Sequence, residues 1–366
     1  MKWDSFNNGI VSPESEGVHS GETASGMGGE LNNPVHFRLS YAPNAGCSTC
    51  PYVGTESAGP GVASCVTMNN TTRWPPLPLD SWRDTYATLH MWTQIVGKVT
   101  LALTPRMNHF WNVAMQVTPR GLSTPTLVHG DLVFTMSFDF ISHQLIIECS
   151  NGNRETISLE PRTVAEFYRL VMESLRRLGV NVRIWPMAVE LPNPIRLDND
   201  EIHYAYNPES ANAFWRILIG IKPVFEAFRS EFIGKSSPVH FFWGSFDLAS
   251  TRFSGRPAPG RPGADAVTKE SYSHEVISHG FWPGGGVIQE PVFYAYAAPE
   301  PAGFKQTSVQ PSAAFYSNDM SEFFLPYESV RTSSSPQEEL TAFFESTYKA
   351  AADLGKWDRR SLERRD

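Results

Sequence analysis

Between Ser237 and Arg256 a strand-like aromatic run (Phe241, Phe242, Trp243, Phe246, Phe253) carries His240, Asp247, Arg252 and Arg256. Burying groups that ionise is costly unless they are paired, so such a run points to a polar site inside an aromatic wall. Strand parity puts His240, Phe242, Phe246, Leu248 and Arg252 on one face, and Trp243, Ser245, Asp247 and Thr251 on the other. A continuous strand would also hold His240 and Arg252 about 40 Å apart, at ~3.3 Å per residue. These groups share a pocket if the chain bends, and Gly244 or Gly255 can supply the bulge or turn. The competing reading is a core strand whose polar groups are satisfied by hydrogen bonds.

Three other groups carry candidate chemistry. His274 beside Glu275 forms an acid/base candidate. It is not a zinc-protease helix, because His274 and His279 are five apart and that motif needs four. Tyr86, His90 and Gln94 follow i, i+4, i+8 spacing with Lys98 just beyond, so a helix places them on one face. There they can grip a ligand carboxylate or amide, or cap the next layer of sheet. Asn108-His109 and His143 fall at expected turns, where histidines are commonly solvated. No histidine pair has metal-ligand spacing, and no nucleophile elbow, dinucleotide fingerprint or P-loop is present. No metal or cofactor is expected.

A chain of 366 residues is long for one core. The 10 Trp and 23 Phe suit a large core or an organic-ligand pocket. A net charge of −8 argues against general nucleic-acid binding. No apolar run approaches the ~20 residues of a membrane span, and the first residues lack a signal-peptide core, so the cytosol is the expected location. Cys47-x-x-Cys50 lacks a second pair and a βαβ context, which favours incidental cysteines.

The elements that must position the candidates read as α+β, antiparallel sheets covered by helices. Residues 1–70, rich in Gly, Ser, Asn and Pro, read as a disordered leader whose removal (1–67) leaves thermal stability unchanged. A first α+β half spans 71–200, a linking helical region 201–236, a second half 237–358 and a tail 359–366. The first half opens on a helix from Asp80 to Gln94, followed by strand-like alternations at Ile95, Val99, Leu101 and Leu103 and again from Trp111 to Val117. Further strands cover 132–140, 144–149 and 155–159, the last two joined across Asn151-Gly152. Capping boxes at Thr163 and Ser335 open two helices whose apolar faces match at an offset of 176 residues, which suggests an internal duplication. Asn207-Pro208 starts the linking helix, where Pro223 should kink or split the pattern.

From Trp74 to Arg364 the chain also resembles an uncharacterised family, a domain of unknown function found mainly in bacteria and also in fungi. The segments that carry the resemblance are Trp82–Lys98, Arg183-Ile184-Trp185-Pro186, Gly234–Arg256 and Ser273-His274-Glu275 with Gly280–Gly284. The resemblance implies no established activity. From the residues themselves, the leading expectation is an enzyme acting on a small organic molecule by general acid/base chemistry. His240 or His274 would serve as base or acid, with Asp247 or Glu275 as the orienting carboxylate. Arg252 and Lys98 would hold a substrate anion. His90, Gln94 and Ser245 would contact substrate, with Trp92, Trp185 and Trp243 as the apolar wall. The alternatives are a non-catalytic small-molecule binding protein and an interaction scaffold.

Overall fold

The computed structural model describes residues 73–365. The expected leader, with Cys47, Cys50 and Cys65, lies outside the described residues. Helix α1 (Arg83–Leu103) runs through the middle of the fold, and every residue from Thr88 to Thr100 is buried. A helix buried on all sides has no polar stripe, so its periodicity vanishes. That is why Ile95, Val99, Leu101 and Leu103 read as a strand and instead continue the helix. Buried threonines in α1 return their hydroxyls to the preceding turn, Thr93 to His90 O at 2.8 Å and Thr100 to Val96 O at 3.3 Å. Asp80 sits in a 3-10 turn, Leu79–Ser81, ahead of the helix.

After a second 3-10 segment, Asn108–Val113, the first sheet is built from β1 (Gln116–Thr118), β2 (Gly121–Ser123), β3 (Leu127–His129), β4 (Leu132–Asp139), β5 (Gln144–Cys149) and β6 (Arg154–Ser158). Its order is β1-β2-β4-β5-β6, with β3 also on β4. Gly152, at φ 86°, makes the β5–β6 turn that Asn151-Gly152 predicts. Helix α2 (Val164–Arg177) follows, capped as expected by Thr163 Oγ1 accepting from Glu166 N. Helix α3 (Pro208–Ser230) is capped by Asn207, and Pro223 lies inside it without ending it.

The second sheet contains β7 (His240–Phe242), β8 (Asp247–Pro257), β9 (His274–Trp282), β10 (Val292–Ala298), β11 (Phe315–Ser317) and β12 (Glu322–Pro326), in the order β11-β12-β10-β9-β8-β7. Helix α4 (Pro336–Leu354) then lies on β9 and β10. Ser335 makes no side-chain cap, whereas Thr163 does. Both sheets are six-stranded, antiparallel and followed by a helix. The likeness stops there: pairing order differs, and α2 contacts the edge strand β6 whereas α4 contacts central strands. A duplication is not established.

Met115 and Phe241 exchange backbone hydrogen bonds at 2.8 Å and tie the lead into β1 to β7. One hydrophobic cluster runs through both sheets and all four long helices, from Trp74 to Trp357. No helix among the described residues is long and apolar enough to cross a membrane.

Candidate functional site

The run from His240 to Arg252 does break strand regularity. Residues 243–246 turn the chain between β7 and β8, with Phe246 in the left-handed region at φ 59°. The hairpin pairs His240 with Ala249 and Phe242 with Asp247. Directly paired residues point to the same side of a sheet. His240 and Asp247 therefore share a face, which flat alternation forbids. Arg252 points to the opposite, helix-covered face. It donates to Phe228 O and stacks on Phe228 and Tyr348, at 3.6 and 4.3 Å to the ring centroids.

Asp247 is the centre of a buried polar cluster. Its carboxylate accepts hydrogen bonds from the Ser245 and Tyr294 hydroxyls. Tyr294 lies on β10, two strands away, and reaches Asp247 across β9 because Gly280 stands between them. A Cβ at Gly280 would overlap the Tyr294 ring. Burial raises the Asp247 pKa, and the two hydroxyl bonds oppose that rise. Burial likewise raises the Tyr294 hydroxyl well above its ordinary value, helped by the Asp247 charge.

Four further groups approach from a second wall, the Tyr86–His90–Gln94–Lys98 stripe of α1. The sequence places these four on one face, and the helix does so. His90 Nε2 sits 2.8 Å from Gly244 O, holding the turn that carries Ser245 and Asp247. Gln94 makes a two-way bond with Val189, Nε2 to O at 2.9 Å and N to Oε1 at 2.8 Å. Its amide thus clamps the loop that presents Glu190. Both residues hold the backbone of the segments that carry the site. Burial lowers His90 to about 4, so near neutral pH the ring is uncharged.

Glu190 is held at φ 58°, a left-handed conformation uncommon for a side chain of its kind. Its carboxyl packs onto Gly244, where a Cβ would collide with Oε1. Burial, and then the nearby Asp247 charge, raise the Glu190 pKa well above the usual carboxylate range, while Lys98 opposes the rise. Lys98 lies between Trp185 and Trp243, with Nζ 5.1 and 5.7 Å from their ring centroids. Burial lowers its pKa to about 8, against the pull of Glu190. Trp243 anchors its indole on Val113 O at 2.9 Å, while Trp185 is exposed.

The structure thus brings His90, Gln94, Lys98, Trp185, Trp243, Ser245 and Asp247 into one region. It places the other candidates elsewhere. Trp92 is fully buried between Phe167 and Tyr206, at 4.6 and 5.5 Å, and lines no site wall. Glu275 is bound by Arg256 and Ser254, beside a cleft of about 190 Å³ that Trp357 and Glu300 also line. His274 starts β9 with Nδ1 3.0 Å from Ser273 Oγ. His240 shares the Asp247 face, yet its ring meets Phe242 edge-on and its Nε2 has no hydrogen-bond partner among the described residues. Burial, with Arg229 adding to the effect, pushes it down to about 3.

Sequence spacing did not reveal Glu190 or Tyr294. Glu190 sits in a Pro-rich loop, and Tyr294 is 47 residues from its partner. The Gly280 gap that joins them is a signal visible once strand register is known. Among the described residues, no group of three or more His, Cys, Asp or Glu could hold a metal ion.

Comparison with known proteins adds a family. No curated protein and no solved structure matches the chain. A model of the family of unknown function DUF5996 matches residues 74–364, which contain every group of the Asp247 cluster, and the chain belongs to that family.

Proposed function

We propose that the protein is an enzyme that acts on a small organic molecule by general acid–base chemistry at the Asp247 cluster. The observation that carries this reading is the Ser245–Asp247–Tyr294 arrangement, assembled from two strands across a glycine and backed by Glu190. Pairs of titratable groups whose surroundings drive their pKa values toward neutrality mark acid and base roles. Glu190, raised well above the carboxylate range, is the group suited to hold a proton to give, while Asp247 accepts from two hydroxyls beside it. Lys98, lowered to about 8, is the group most ready to take one near neutral pH. The Tyr294 oxygen, whose one proton goes to Asp247, keeps lone pairs with which to accept from a substrate O–H or N–H.

A second reading, ligand binding without turnover, draws on the exposed Trp185 ring beside Lys98, which suits stacking on a flat ligand. One experiment separates the two. The purified protein is incubated with a defined mixture of small polar and aromatic metabolites, which is then followed by mass spectrometry. Loss of one component far beyond the protein's molar amount, with a product appearing, is the expected result. Stoichiometric retention without a product favours the binding reading. No change and no retention overturns both.

A further inference from the structure

We infer that Lys235 is a carbonyl-reactive amine, at the opposite end of β8 from Asp247, that forms imines with small aldehydes bearing a flat apolar group, with His109 carrying the protons.

His109 was expected at a solvated turn, but it is buried, and both His109 and Phe110 hold left-handed backbone at φ 56°. The ring is therefore placed against the ordinary backbone preference of two successive residues. Its Nδ1 lies 2.9 Å from Glu270 O. A carbonyl can only accept, so Nδ1 carries the proton and Nε2 presents a lone pair. That lone pair meets Lys235 Nζ at 2.6 Å. Among the described residues no carboxylate lies within ion-pair distance of Lys235. The nearby Glu270 carboxylate is engaged by Arg106 and by His109 N.

Trp111 and Phe253 flank the amine, at 5.6 and 4.9 Å from Nζ to the ring centroids, and His274 stands edge-on to His109 at 6.1 Å. The Lys235 residue is itself exposed, so a solute reaches it. Partial desolvation by the flanking rings lowers the amine's pKa, in keeping with this arrangement.

The chemistry balances without an oxidant or reductant. The neutral amine attacks the carbonyl carbon, forming a C–N bond while the C=O π pair moves to oxygen. The first nitrogen proton passes by way of His109 Nε2 to the alkoxide, giving the carbinolamine, and the second follows the same route to its hydroxyl, which leaves as water. The nitrogen lone pair closes the C=N bond, and His109 ends as it began.

The test uses the full-length protein with substoichiometric benzaldehyde and cyanoborohydride, and peptide mass spectrometry of each lysine. Lys235 should label at least about tenfold faster than the exposed Lys269, Lys305 and Lys356. His109→Gln should slow Lys235 by about 100-fold or more, the lower end of what a positioned proton carrier contributes, and leave the other rates unchanged. Lys235 labelling no faster than those lysines overturns the proposal, as does an undiminished rate in His109→Gln. The wild-type comparison decides alone should that variant fail to fold.

Discussion

At the scale of single residues, the buried titratable groups make opposing demands on stability, and these can be separated. His240 is buried and pushed down to about 3, whereas an unfolded chain titrates it near 6.5. Between those values the unfolded state binds the extra proton, so stability rises with pH through that window. The contribution is fully present above 6.5 and is lost as the solution is acidified. From pH 7 to pH 5 the loss is about 2 kcal/mol, at 1.36 kcal/mol per unit. Asp247 and Glu190 act the other way, because a raised carboxyl is most stabilising while protonated. Comparing His240→Phe with wild type cancels the carboxyls. Urea unfolding at the two pH values should show a variant slope shallower by about that amount, and equal slopes would mean that the ring is not held neutral. Asp247→Asn keeps the shape of the carboxylate and removes a desolvated acid. It should fold with a Tm at pH 8 no lower than wild type, measured by calorimetry.

At the scale of elements, the site depends on two glycines that let side chains cross backbone. Gly280→Ala places a methyl group where the Tyr294 ring lies, and such overpacking costs about 1–3 kcal/mol. It also pulls the hydroxyl from Asp247. Tyr294→Phe should therefore cost less in the Gly280→Ala background than alone, and additive losses in a denaturant-unfolding double-mutant cycle would contradict the coupling. These elements were partly legible. The β5–β6 hairpin, the Thr163 cap and the start of α3 carry local turn and cap chemistry, and each formed where its residues indicated. Helix α1 beyond Gln94 was misread because residues buried on all sides erase the amphipathic period. The break near Gly244 was readable from the conflict between parity and shared function. Where Tyr294 and Glu190 would arrive was not, since strand register and loop path are long-range properties that no spacing encodes.

At the scale of the molecule, one core serves both sheets, and α1 connects the pieces of the site through it. Its His90 holds the β7–β8 turn, its Gln94 holds the loop of Glu190, and its Lys98 stands between the two tryptophans. The long buried helix is thus a ruler for groups contributed by segments far apart in the chain. Gln94→Leu removes both bonds to Val189 and leaves a buried backbone N–H and C=O unpaired, at a cost of about 1–3 kcal/mol each. Thermal unfolding should show a large loss, and proteolysis should first cut near residue 190; a wild-type Tm would contradict the clamp. The proposed function rests on proton chemistry at Asp247. The direct measurement is the metabolite-mixture incubation run in parallel on wild type and Asp247→Asn, with folding matched by calorimetry. Wild type should show multiple-turnover loss of a component, and the variant at least about 100-fold slower loss, the scale of a positioned acid or base. A folded Asp247→Asn protein that turns over the same component at the wild-type rate would contradict it.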